Sequence, residues 1–197
     1  MGVPGAKGNV VGQSPIGYAF PTGGGWPVML DICLAYASGE QLMHKAKDGI
    51  PVPAWWGVDR QGEPTTDAAE LLKGTKYPIG GHKGFGLAIL CELLTGVLSG
   101  GLILDEGQDE PGIAARSTSH TAIAVKADAL MDMSEYSARS AELIDRMVAR
   151  SEGVHIPGQG SWNKTREFEA RGTIEIKNEL VEKLNEYAAE FGVGRLN

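Results

Sequence analysis

Residues 77–94 read YPIGGHKGFGLAILCELL. A histidine and a lysine stand between glycines, and an apolar stretch of helical length follows. Glycine lets a backbone turn sharply and approach a ligand closely. A helix that starts just past such a turn offers unpaired N–H groups and a partial positive charge, to which Lys83 adds a full one. That combination suits an anion such as a phosphate. The spacing of Gly80, Gly81, Lys83 and Gly84 matches neither G-x-x-x-x-G-K-[ST] nor G-x-G-x-x-G. The same letters also describe a glycine-rich corner that lets a buried helix pack closely, and the local pattern leaves both readings open.

Other groups suited to acid–base or ligand chemistry are scattered. His44 falls in a polar helical stretch and is expected to be solvated. His120 precedes a strand-like run and is expected to be structural. His82 is either a donor to a ligand or a turn residue whose backbone matters more than its ring. His155, two residues before Pro157, is a candidate for lining a pocket. Asp59 and Asp67 read as loop and cap residues. Both cysteines, Cys33 and Cys91, stand in apolar surroundings and read as small core residues of a reducing compartment. The four histidines and two cysteines show no metal-ligand spacing.

A length of 197 residues accommodates one good-sized domain or two small ones, and 42% hydrophobic with 22% charged residues is ordinary for a globular chain. The net charge of −7 argues against a broad nucleic-acid or anionic-membrane surface, while leaving room for a local basic pocket. The opening MGVPGAKGNVVGQSP has no apolar core of a signal peptide, and the run after Phe85, interrupted by Glu92 and Gly96, is too short to span a bilayer. The expected location is cytoplasmic, with neither nucleic acid nor membrane as a partner.

The elements that must position the glycine turn alternate between strand and helix, the pattern of an α/β protein. A short strand is expected around Ile16–Phe20. PVMLDICLAY reads as a strand buried on both faces. GEQLMHKAKDG reads as a short helix closed by Gly49, and AAELLKG as another capped by Thr66 or Asp67. A helix is expected from about Phe85 to Leu98. EGQDEPG is an acidic surface loop. HTAIAVKADAL alternates around Ile123 and Val125 as a strand does. SEYSARSAELIDRMVARS places Leu143, Ile144, Met147 and Val148 on one helical face. SWNKTREFEARG is a charged helix, TIEI a short extended segment, and NELVEKLNEYAAEFG an amphipathic helix with Asn178 as its cap.

In this order the motifs resemble those of the malate/L-lactate dehydrogenase family of the second type, distinct from the Rossmann-fold enzymes of similar name. GQSPIGYAFP resembles G-T-N-P-[IL]-A-x-x-x-P, and VMLDICLAYASGE resembles an apolar strand ending in D-M-A-T-[ST]. GIPVPAWWGVDRQGEPTTD resembles P-I-P-x-x-W-x-[VL]-D-x-x-G-x-P-T-T-D. PIGGHKGFGLAILCELLTGVLSG resembles G-G-H-K-G-[YF]-G-L-x-x-x-x-E-x-L-x-G-x-L-x-G, and HIPGQG resembles Y-P-G-[EQ]. The likeness runs from about Gly12 to about Ile176. It implies an α/β fold with a mixed sheet and packed helices, non-Rossmann and sulfolactate-dehydrogenase-like. Residues 1–176 would be the NAD(P)-binding domain and residues 177–197 a C-terminal amphipathic helix. It also implies hydride transfer between NAD or NADP and a small 2-hydroxy or 2-keto acid. The cofactor-binding set it implies is Asp31, Ile32, Cys33, Leu34 and Ala35, with His82, Lys83, Gly84, Pro157, Gly158 and Gln159.

Some positions depart from the family pattern. Leu34 and Ala35 stand where hydroxyl residues are usual, Glu40 and Gln41 where a Gly-Lys pair is usual, and Ser14 where Asn is usual. Family members are longer, with a catalytic histidine and a substrate-binding arginine ahead of the stretch matched here. The resemblance therefore assigns no catalytic residue to this sequence. It leaves two rivals to a catalytic portion or subunit: a non-catalytic dinucleotide-binding subunit and an inactive shortened paralogue. It further suggests association, as a homodimer or with a chain supplying the remaining region.

Overall fold

In a computed structural model, residues 1–104, 106 and 118–196 are described. The acidic loop expected at 106–112 lies, apart from Glu106, outside the described residues. Strands β1 (Ile16–Phe20) and β2 (Val28–Ile32) form an antiparallel hairpin in which Gly17 faces Asp31 and Phe20 faces Val28. The short β3 (Gly57–Val58) pairs with β4 (Thr75–Lys76), also antiparallel. Helices follow in the order α1 (Gly39–Lys47), α2 (Ala68–Lys73), α3 (His82–Glu92), α4 (Met133–Arg150), α5 (Gln159–Arg171) and α6 (Asn178–Phe191).

The α/β class holds, but the expected mixed sheet is not formed: among the described residues the named strands make two separate antiparallel pairs. β2 is accordingly no doubly buried strand, since it has a single neighbour and its residues are half-buried or exposed. The full burial anticipated for PVMLDICLAY falls instead just past the strand, at Leu34 and Ala35. The alternating run around Ile123 and Val125 forms no strand, and the two side chains are 77% and 80% exposed. A strand exists only through backbone hydrogen bonds to a neighbour, and among the described residues none pairs with this run. TIEI likewise takes no regular structure.

Helix signals fare better because they are local. Ser38 caps α1 by accepting from the Gln41 N–H at 3.1 Å. Asp67, one of the two anticipated caps, closes the start of α2 by accepting from the N–H groups of Ala69 (2.7 Å) and Glu70 (3.3 Å). Asn178 is the first helical residue of α6 rather than its cap; Lys177 takes that place, with no side-chain bond.

Two buried clusters hold the body together. Ala37, Leu42, Val52, Ala68 and Leu71 join α1 to α2, with Trp56 packed against them. Met1, Leu34, Ala35 and Ala88 join the segment after β2 to α3, with Ile16, Ile32, Ile79 and Cys91 alongside. α4 and α5 bury no residue fully and α6 buries only Ala188; of the apolar stripe of α4 anticipated from Leu143, Ile144, Met147 and Val148, Ile144 is half-buried and the other three are exposed.

Candidate functional site

The glycine turn is built by backbone pairing with the segment that follows β2. The Ile79 N–H donates to the Leu34 carbonyl at 2.9 Å, and the Tyr36 N–H donates to the Tyr77 carbonyl at 3.1 Å. Gly80 and Gly81 both adopt φ of 61°, a left-handed conformation that excludes most side chains. The chain then enters α3 at His82, three residues earlier than the sequence suggested. Gly84 explains the difference. It is a buried helical residue whose N–H donates to the Ile79 carbonyl at 3.0 Å, and a Cβ there would stand 2.2 Å from that oxygen. Without a side chain at 84 the helix can start directly against the turn.

This geometry corrects one part of the anion seat. The N–H of Gly84 is spent on Ile79, those of Lys83 and Phe85 bond to Gly80 and Gly81, and that of Gly80 donates to the Tyr36 hydroxyl. What remains for an anion is the His82 N–H at the start of α3, which no described residue accepts, and the Lys83 ammonium, exposed in the first turn where no acidic side chain stands. A cation at a helix N-terminus is unfavourable by about 0.3–1 kcal/mol, and a bound anion relieves it.

On the other side of the segment, Asp31 and the loop after Ile156 come together. The Met29 N–H donates to the Pro157 carbonyl at 3.1 Å, and Gly158 lies so close that a Cβ would meet the Met29 side chain at 2.7 Å. Met29, Leu30, Asp31, Pro157, Gly158 and Ser161 line a cleft of about 320 Å³. Asp31 is exposed there, its carboxylate free to accept from a hydroxyl. Gln159 opens α5, and its side-chain oxygen turns back to accept from the Ile156 N–H at 3.4 Å.

The set implied by the family motifs is therefore divided. Asp31, Pro157 and Gly158 share the cleft, while His82, Lys83 and Gly84 are not among its lining residues and sit on the turn bonded to residues 34–36. Leu34 and Ala35 are core residues, 0% and 3% exposed, and Leu34 engages its N–H with Gln13 and its carbonyl with Ile79. Neither offers a side chain to a ligand, and their apolar character, which departs from the family pattern, suits their burial. Ile32 and Cys33 are half-buried against the same cluster, with the Cys33 thiol 3.5 Å from the Ala35 carbonyl. Gly84 contributes packing. All four histidines are exposed and none lines the cleft, His155 included. Burial, and after it the charge of Glu92, pushes the Cys91 thiol above its ordinary value, so it is a poor nucleophile. Among the described residues no three His, Cys, Asp or Glu side chains are placed to hold a metal ion, and no helix is long and apolar enough to cross a membrane.

A groove of about 730 Å³ between the hairpin and α4 had no counterpart in the sequence reading. Phe20, Val28, Leu143 and Ile144 give it apolar walls, and Arg139 and Arg146 also line it, Arg146 paired with Glu142 at 2.5 Å. Arg139, Leu143 and Arg146 recur at helical spacing, and that periodicity was the available signal.

The geometry has close parallels. Over 173 residues the chain is 38% identical to a Δ1-pyrroline-2-carboxylate reductase of Burkholderia multivorans, covering 85% of this chain and 48% of that protein. It is 31% identical to the malate/(S)-sulfolactate dehydrogenase of Methanothermus fervidus, over 96% of this chain and 56% of that one. Its fold matches the Δ1-piperideine-2-carboxylate reductase of Pseudomonas syringae with a TM-score of 0.75 at 28% identity, over 93% of this chain and 56% of that one. It also matches the sulfolactate dehydrogenase of Methanocaldococcus jannaschii with a TM-score of 0.74 at 26% identity, over 98% of this chain and 57% of that one. The chain spans about half the length of the curated relatives it matches. The model of the malate/L-lactate dehydrogenase family matches residues 1–185, and the chain belongs to that family.

Proposed function

We infer that this chain is the nicotinamide-dinucleotide-binding portion of an oxidoreductase that interconverts a small 2-hydroxy acid, or a cyclic amino acid, with its 2-keto or 2-imino partner. The observation that carries this reading is that segments far apart in sequence form one hydrogen-bonded assembly. Residues 29–36 bond at one end to Pro157 and at the other to the turn at 77–80 that presents Lys83.

The residues suit NAD or NADP. Lys83 is an exposed ammonium for a phosphate, Asp31 an exposed carboxylate for a ribose hydroxyl, and the turn at Gly80 and Gly81 is bare of side chains. When bound, the cofactor accepts or delivers the hydride. The chain's own part is to hold it and to fix its orientation, which supplies much of the advantage of a bound over a free reaction. Residues 1–176 serve as the cofactor domain in a sulfolactate-dehydrogenase-like, non-Rossmann arrangement, with α6 as an appended helix, and association as a homodimer or with a further chain completes the site.

One observation favours a second reading, a dinucleotide-binding subunit without turnover of its own. No histidine lines the Asp31 cleft, so a histidine acting as general acid on a substrate there would have to come from elsewhere. Titration with NADH and NADPH, followed by calorimetry and by cofactor fluorescence, tests the shared premise. The expected result is binding that Lys83→Gln weakens about three- to tenfold, as loss of one ordinary net hydrogen bond does, with the unfolding free energy unchanged or raised by up to about 1 kcal/mol. Binding of neither cofactor overturns the reading. Assays with pyruvate, oxaloacetate, sulfopyruvate and pyrroline-2-carboxylate then separate the two versions by the presence or absence of turnover.

A further inference from the structure

We propose that Trp55, held edge-on against Tyr36, is a stacking surface for a planar heteroaromatic ring of the dinucleotide; this rests on the cofactor reading above. In the family pattern P-I-P-x-x-W the tryptophan corresponds to Trp56, and Trp55 falls on a position the pattern leaves open. The two indoles are placed differently. Trp56 packs against the buried cluster of α1 and α2, whereas Trp55 is 60% exposed.

The exposed ring is nevertheless braced by two aromatic neighbours. Its centroid lies 4.6 Å from that of Tyr36 at an interplanar angle of 83°, and 6.2 Å from that of Trp56 at 79°. Both are edge-to-face contacts of the favourable kind. Tyr36 is pinned in turn: its N–H donates to the Tyr77 carbonyl, and its hydroxyl accepts the Gly80 N–H at 3.1 Å. The tyrosine that props Trp55 thus also holds the turn from which Lys83 rises. Nothing crowds that turn. A Cβ at Gly81 would have no atom within 4 Å, and one at Gly80 would meet only the Lys83 Cβ at 3.8 Å.

Tyr36 thus joins an exposed indole to the bare backbone of the turn that carries the Lys83 ammonium. Those are the elements that recognise a nucleotide, the ring by stacking and the phosphate by charge. An indole left loose on the surface would lose conformational freedom on binding; contact with Tyr36 and Trp56 restricts this one beforehand, so less of the stacking energy is offset.

Calorimetric titration of the full chain with NADH, ADP-ribose and reduced nicotinamide mononucleotide tests the proposal, alongside quenching of tryptophan emission by NADH. Trp55→Leu should weaken NADH about five- to tenfold, the low end of what stacking one ring on an aromatic side chain supports. Trp55→Phe, which keeps a ring, should stay within about threefold of the parent while losing the largest share of the emission quenching. A loss carried by ADP-ribose assigns the adenine ring to Trp55, and a loss carried by the mononucleotide assigns the nicotinamide. If Trp55→Leu binds NADH as the parent does while Lys83→Gln is weakened, the stacking proposal is overturned and the cofactor reading stands. Should Trp55→Leu unfold, undiminished quenching in Trp55→Phe overturns the proposal equally. A parent chain that binds no NADH overturns both.

Discussion

Alanine at Gly84 and alanine at Gly86 should shift stability in opposite directions, although the two positions lie on the same helix. A Cβ at 84 would stand 2.2 Å from the Ile79 carbonyl oxygen and 3.1 Å from both its carbon and the Ile79 Cγ1. The nearest partner is backbone, and it already accepts the Gly84 N–H, so relief requires moving the turn away from α3. That movement also strains the bond from the Ile79 N–H to Leu34, the link between turn and hairpin segment. Adding a carbon to a packed site costs about 1–3 kcal/mol, and with backbone as the obstacle the upper end, about 3 kcal/mol, is expected. At Gly86 a Cβ would have no atom within 4 Å. There alanine simply replaces glycine inside a helix and should stabilise by about 0.5–1 kcal/mol. Urea unfolding followed by far-UV circular dichroism should separate the two variants by about 4 kcal/mol at equal slope. In heat that difference corresponds to about 8–16 °C for a chain of this size. A Gly84→Ala protein as stable as the parent would refute the close approach of α3 to Ile79, and a Gly86→Ala protein less stable by more than about 0.5 kcal/mol would refute the open space beside Gly86.

Three further outcomes follow from single contacts. Asp67→Ala removes the cap of α2 and should cost about 1 kcal/mol in urea unfolding, with Asp67→Asn recovering most of it. Leu71→Ala opens a cavity at a side chain that is 0% exposed, and should cost about 2–5 kcal/mol, far more than the same change at exposed Leu143. The raised Cys91 thiol contributes stability that is full below the ordinary thiol value and is lost as pH rises through the higher folded value. In a Cys33→Ser background, Glu92→Gln removes the charge that helps raise it, so Ellman labelling at fixed alkaline pH should accelerate; an unchanged rate would exclude Glu92 as a cause.

Much of the helical layout was legible in the letters, because a helix answers to neighbours within a turn. Ser38 and Asp67 cap their helices through groups two or three residues away, and the apolar spacing of α4 sets its length without outside help. The motifs around Asp31, Lys83 and Pro157 identified the family for the same reason: each is a short run readable in place. Tertiary structure decided what depends on distant partners. Only the approach of α3 to Ile79 shows that Gly84 serves packing and that most of the turn's amides are already spent, leaving the His82 N–H and the charge of Lys83. Pairing with residues 77–79 turns Leu34 and Ala35 inward, and among the described residues no strand pairs with Ile123 and Val125. Burial and strand pairing are properties of two segments at once, and the local letters of either segment specify just one of them.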